Sequence, residues 1–336
     1  MSVVNDNITL DMFQPAQISA DESDRISAPS IGFWKDAWLR LRKNKAAVVG
    51  LFFIVLIVIM AIVAPMLSKY GIDDQDVVNR QNLYPRIPGL EWLGFDGKDS
   101  TGMDTYELNG VKQNFWFGTD ELGRDIWVRV WAGTRISLII ALIASIGDCL
   151  IGVAYGGISA YYGGLVDNVM QRVIEILAGI PNLVLIILFI LWLGGGMTSI
   201  ILALIISGWI GMARIVRGQV LKLKNQEFVL ASRTLGSSDQ RIIWKHLIPN
   251  VLGQIIITLM FTIPGAIFFE AFLSFIGLGI PAPAASLGSL NQAGFENLQI
   301  YPYMALFPAL ILSILMISFN LLADGLRDAF DPRMRK

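Results

Sequence analysis

The sequence predicts an all-α, polytopic membrane protein with about six transmembrane helices, both termini cytoplasmic, and a small extracellular loop insertion. Three observations carry this. Of 336 residues, 54% are hydrophobic and only 16% charged, against roughly a quarter charged in a soluble domain. Uncharged runs recur at close to the roughly 20 residues that cross a bilayer core. Lys and Arg gather in alternate connections, as expected of loops on the cytoplasmic side.

Taken in order, residues 1–30 are polar and contain no apolar stretch, so they read as a flexible cytoplasmic tail without a cleavable signal. Residues 31–45 predict an interfacial amphipathic helix, with Trp34, Trp38 and Leu41 on one face beside Arg40, Arg42, Lys43 and Lys45. Residues 46–67 form the first span, and 68–135 an extracellular loop. Within that loop, Asn109-Gly110 predicts a β-hairpin around Tyr106–Gln113, because Asn-Gly accepts the positive φ angles of a two-residue turn. Thr119–Trp131 predicts a helix lying along the outer surface, with Asp120 and Glu121 at its positive N-terminal end. Residues 136–326 hold the remaining spans: Ile136 to about Ala160, Val173–Leu193, Met197 to about Ala213, Val251 to about Phe269, and Tyr303–Ala323. Residues 327–336 are a cytoplasmic C-terminus. Gly133, Gly152, Gly156, Gly157, Gly163 and Gly164 permit close helix packing around the second span.

The orientation rests on the short loops. Arg214, Arg217, Lys222, Lys224, Arg233, Arg241 and Lys245 lie between the fourth and fifth spans, and Arg327, Arg333, Arg335 and Lys336 follow the sixth. The turn at Gly194–Gly196 and the stretch Gly277–Pro302 hold neither Lys nor Arg. The basic residues of the 68–135 loop do not count against this, since the rule applies to shorter loops.

Several activities are excluded. One cysteine, Cys149, and one histidine, His246, leave no disulfide framework and no zinc set. There is no Gly-x-x-x-x-Gly-Lys-Ser/Thr loop to cradle a nucleotide and no Gly-x-Ser-x-Gly nucleophile elbow. No catalytic residue, metal or cofactor is expected on the chain, and no nucleic-acid partner.

The cytoplasmic connection 218–250 carries the main functional signal. Glu227–Asn250 reads as a short helix, a break, and a second helix. Gly236 suits a left-handed residue after the first helix, Ser237 an N-cap with Gln240 as its partner, and Pro249 the boundary with the fifth span. Phe228, Leu235, Ile242, Ile243 and Trp244 are expected to face outward and make an apolar docking patch. Two membrane carboxylates stand out. Asp148 lies inside the second span and Glu270 near the outer end of the fifth. Such groups usually face a cavity or a polar partner. Both are candidates for the translocation path, Asp148 also for a helix–helix contact, and both have a structural alternative: a carboxyl satisfied by a neighbouring subunit for Asp148, exposure at the interface for Glu270. Glu175 and Asp324, near inner helix ends, are assigned to structure.

Leu230-Ala231-Ser232, Gly236, and His246-Leu247-Ile248-Pro249 resemble the coupling loop of importer permeases in the ATP-binding-cassette superfamily. Ala231, Gly236 and Pro249 match its pattern; Leu230, Ser232 and His246 replace its Glu, second Ala and Ile. Further blocks follow in the order of the oligopeptide and dipeptide permeases: Gly118–Asp125 with Gly133–Leu138, Tyr161–Gly164 with Asp167 and Ala178–Pro181, Glu270–Gly279, and Asn320–Asp328 with Asp331-Pro332. The chain is most similar to the C-type membrane subunit of oligopeptide permeases.

The resemblance implies a multi-pass subunit of the cell membrane that pairs with a B-type permease subunit. It implies two ATPase subunits, which carry ATP and Mg, and an extracellular binding protein that delivers peptide. Glu227, Phe228, Ala231, Ser232, Leu235, Gly236, Ser237, Asp239 and Pro249 would contact the ATPase. Dipeptides or metal chelates such as nickel are alternative cargoes. A stand-alone ion-coupled secondary transporter is the competing class, but it calls for inverted repeats and several mid-membrane charges, which this sequence lacks.

Overall fold

The computed structural model describes residues 32–330, and in it the chain is helical. The 1–30 tail, Asp331-Pro332, Arg333, Arg335 and Lys336 lie outside the described residues. Helix α1 (Phe33–Leu41) leads into α2 (Lys45–Leu67), then a cap that contains the short α3 (Thr105–Leu108). Next come α4 (Ile126–Tyr162), α5 (Gly164–Ala178), α6 (Asn182–Leu193), α7 (Met197–Leu223) and α8 (Glu227–Thr234). A long α9 (Asp239–Leu278), α10 (Leu287–Glu296) and α11 (Tyr303–Phe330) complete the chain.

Five helices (α2, α4, α7, α9 and α11) are long and apolar enough to cross a membrane. The third expected span, Val173–Leu193, is instead a bent pair: α5 and α6 meet at 82°. Pro181 explains the break, since it lacks an N–H and disfavours helical geometry at Ile180 before it. The pair counts as the sixth span only if both halves are taken together.

The core is built on α4, whose 37 residues run about 55 Å at 1.5 Å each, longer than a bilayer core of about 30 Å. Its largest contact is with α7. Gly152 and Gly156 sit directly on α7, where a Cβ would overlap Trp209 O and Met212, or Ala213 O and Arg217 N. That spacing is what lets two helices approach closely in lipid. Gly163 and Gly164 have another role. Both have positive φ and turn the chain from α4 into α5.

Several local expectations are corrected. The Asn109-Gly110 hairpin is absent, and the described residues contain only isolated β-bridges. The Asp104 side chain accepts from the amides of Tyr106 and Glu107, which nucleates α3, and Gly110 (φ 65°) follows its end. Tyr106 is buried with Leu83 and Phe115, so burying this ring on a capped turn outweighs the turn preference of Asn-Gly. The predicted surface helix Thr119–Trp131 is not one element either. Asp120 closes a loop by an ion pair with Arg124 at 2.7 Å, Gly123 has a φ of 71°, and Asp125 caps α4 by accepting from the Trp127 amide. Ile126, Val130 and Trp131 are buried against α2, α9 and α11 within the chain. Burial pushes the Asp125 carboxyl up to about 6.

In α1, Leu41 and Ala37 are buried whereas Trp34 and Trp38 are exposed. The three residues expected on one face are therefore divided between protein and surroundings. The cap is fastened to the bundle by aromatic rings. Phe117 stacks on Phe307 with ring centroids 3.9 Å apart, Tyr84 donates to Ile300 O, and Tyr303 donates to Thr119 O, both at 3.0 Å.

Candidate functional site

At the end of the bundle opposite the cap, α8 and the start of α9 form a helical hairpin. Glu227 opens α8, and the inward-facing Val229 is the buried residue of that helix. Val229 enters a cluster with Val153, Ala160, Tyr161, Met212, Val216, Ile242, Ile243 and Leu247. The hairpin is thereby packed onto the ends of α4, α7 and α9.

Gly236 terminates α8 with φ at 79°. Its amide bonds to Arg233 O at 3.0 Å and the Ser237 amide to Ser232 O at 3.1 Å. These two bonds make a Schellman cap, which needs a left-handed residue at that position. The second helix begins one residue later than expected. Ser238, not Ser237, is its N-cap, and its side chain makes no capping bond, so the Ser237–Gln240 capping box is absent. Pro249 does not end a helix. α9 runs through it after a π-helical turn at Ile242–Leu247, a local widening that accommodates the missing N–H and the ring.

The outward face is smaller than expected. Ile242 and Ile243 are buried, while Phe228, Leu230, Leu235 and Trp244 are exposed, Leu235 at 86%. Glu227, Ala231, Gly236, Asp239 and Pro249 are exposed beside them, and Ser232 and Ser237 are half-buried. The hairpin thus presents apolar side chains outward on a base fixed to the spans.

Polar contacts strengthen that base. The Tyr161 hydroxyl donates to Asp239 Oδ1 at 2.6 Å, and the Arg233 guanidinium lies over the Tyr161 ring, 4 to 6 Å being the cation–π range, at 5.5 Å here. Lys224 Nζ donates to Ala160 O at 2.8 Å. Arg217 grips Asp167 with two bonds of 2.7 and 2.6 Å, and the Ser159 hydroxyl donates to the same carboxylate. The α4–α5 corner is therefore tied to α7, α8 and α9 together. Sequence reasoning named Tyr161 and Asp167 only as parts of a family block. No local pattern marks pairs that are 78 and 50 residues apart.

The two membrane carboxyls lie elsewhere. Asp148 is 6% exposed and rests on Gly208 of α7, where a Cβ would overlap its carboxylate; its Oδ1 has no hydrogen-bond partner among the described residues. Glu270 is fully buried, which corrects the reading that places it exposed at the interface. Its oxygens accept from Ser137 Oγ at 2.7 Å and Ser274 Oγ at 2.9 Å. Ser137 Oγ in turn accepts from the Leu287 amide, and Ser274 Oγ lies 3.2 Å from Ser286 Oγ. Glu270 thereby joins α4, α9 and the start of α10. Both carboxyls are turned into contacts within the chain.

Comparison with known proteins fits these features. Residues 152–336 match the model of the binding-protein-dependent transport system inner membrane component, and residues 32–85 that of the N-terminal TM domain of oligopeptide transport permease C. The chain is 46% identical to the oligopeptide transport system permease protein OppC of Bacillus subtilis, over 98% of this chain and 99% of that one. It is 45% identical to the dipeptide transport system permease protein DppC of the same organism, over 94% and 90%. The DppC of Lactococcus lactis is 42% identical, over 98% of each.

Proposed function

We propose that this chain, which belongs to the family of binding-protein-dependent transport system inner membrane components, imports peptides by joining a B-type permease subunit to form the path. It is a multi-pass inner membrane protein and a permease subunit of the peptide-importing ATP-binding-cassette group. In the proposed assembly an extracellular binding protein supplies the peptide. Two ATPase subunits carry ATP and Mg and dock on the α8–α9 hairpin.

The observation that carries this reading is the two-sided hairpin. Its outer side exposes Phe228, Leu230, Leu235 and Trp244, and its inner side is buried on the ends of α4, α7 and α9. An apolar patch on a polar loop favours a protein partner, and a packed base can pass a displacement to the spans. Oligopeptides are the proposed cargo, because the most similar relative named above carries that name over nearly its whole length. Dipeptides are the second reading, from the DppC relatives.

The test is peptide uptake together with ATPase co-purification from membranes expressing Gly236→Asp or Leu235→Asp. A side chain at the left-handed Gly236 costs about 1 kcal/mol and redirects the second helix, whereas Leu235→Asp changes only the patch. Both are expected to insert normally and abolish uptake, with the ATPase lost or uncoupled. Normal uptake in both variants would reject the hairpin as the coupling element. Uptake by the chain alone on an ion gradient would favour the secondary-transporter class.

A further inference from the structure

Where the end of α2 meets the cap, the surface opens into a groove of about 580 Å³. Met60, Val63, Ala64 and Leu67 line it at helical spacing i, i+3, i+4, i+7, and Trp116 stands across from them. Lys69 and Lys112 line the same groove. Both lysines are exposed, and among the described residues neither forms an ion pair. The one carboxylate on the groove, Asp125, is 7% exposed and turned toward the Trp127 amide.

We propose that this groove binds one anionic phospholipid, its phosphate at Lys69 and Lys112 and an acyl chain along Met60–Leu67. The shape favours a lipid over a soluble protein. The apolar floor from Met60 to Leu67 descends about 10 Å along a membrane span, a depth that a soluble partner stopping at the headgroups does not reach. α2 is also bare around this end, with Met66 and Leu67 at 78% and 79% exposed, as expected of a helix bathed in lipid. An exposed Trp116 at the mouth matches the headgroup level at which tryptophans concentrate. The charge decides the headgroup class. Each lysine near a membrane surface raises affinity for anionic lipid by a factor of roughly five, and two unpaired lysines over an apolar floor hold a phosphate and a chain at once.

The test uses the full chain assembled with its partner subunits in nanodiscs of equal phosphatidylglycerol and phosphatidylcholine. After extraction into mild detergent, retained lipids are counted by mass spectrometry. The expected result is one phosphatidylglycerol retained per chain with about tenfold or greater preference. Lys69→Gln/Lys112→Gln is expected to remove the preference. Val63→Trp, which fills the groove from an exposed position, is expected to remove the retained lipid with the charges intact. Lys98→Gln, at a lysine paired with Asp96, is expected to change neither. Equal retention of the two lipids by the native assembly overturns the proposal. So does a preference that survives both the lysine and the Val63 variants. A preference seen in the isolated chain and lost on assembly also overturns it, because the occupant is then the second permease subunit.

Discussion

The hydroxyl of Tyr161, on the last turn of α4, donates a 2.6 Å hydrogen bond to Asp239 on the first turn of α9. The ring is buried while the carboxylate is exposed, so the bond reaches from the packed base of the hairpin to its surface. It sets the second helix of the hairpin against α4, on which the core is built.

Tyr161→Phe removes this bond and leaves the ring under Arg233. A hydrogen bond of this kind contributes roughly 1 kcal/mol, too little to unfold the chain. Uptake per ATP hydrolysed in reconstituted complexes is expected to fall severalfold, with the ATPase still bound. Tyr161→Phe combined with Asp239→Ala should be no worse than the weaker single variant, as for two residues acting through one contact. Additive losses would show that the two act separately.

Asp148 and Gly208 form a steric pair across α4 and α7. Gly208→Ala forces the carboxylate off α7, at a cost of about 1–3 kcal/mol for an overpacked contact. The yield of folded protein from membranes is expected to drop. Asp148→Ala placed on the Gly208→Ala background should restore it by vacating the space. Failure of the second change to rescue the first would show that Gly208 matters for another reason.

Glu270 is expected to hold the start of α10. Glu270→Leu strands the hydroxyls of Ser137 and Ser274 in a buried setting, and each unsatisfied group costs about 1–3 kcal/mol. Amide exchange across Leu287–Glu296 should accelerate. Glu270→Gln, which keeps an acceptor oxygen, should accelerate it less. Unchanged exchange in the Leu variant would leave the anchoring of α10 to its apolar contacts.

Asp125 gives the cap a pH dependence. Burial raises its carboxyl from 3.8 to about 6, so the folded state binds this proton more tightly than the unfolded state. Below the unfolded value there is no penalty. The penalty grows as pH rises through the interval and is complete above the folded value. The first turn of α4 is therefore expected to be firmer at pH 4 than at pH 7. Asp125→Asn keeps an N-capping side chain, and should remove that dependence and stabilise the turn at pH 7 by roughly 1–3 kcal/mol. Exchange of the Trp127–Arg129 amides, corrected for intrinsic rate, measures both effects.

The sequence by itself determined the membrane class, the apolar spans, the helix–Gly–helix connection and the left-handed Gly236. Each depends on composition or on a few neighbouring residues. Uncharged runs must enter lipid as helices because no water satisfies their backbone there, and a residue that must adopt positive φ is most readily a glycine. The same local reasoning failed at Asn109-Gly110. Its turn preference amounts to little beside the burial of Tyr106, which depends on Leu83 and Phe115. Only the tertiary structure decided which faces of the elements are covered. It buried Ile242 and Ile243, left Leu235 and Trp244 outside, turned Asp148 onto Gly208, and joined Tyr161 to Asp239 and Arg217 to Asp167. The pairings join residues 50 or more positions apart, and the burial joins residues of different helices. Their positions follow from how α4, α7 and α9 cross, which no short stretch of sequence encodes.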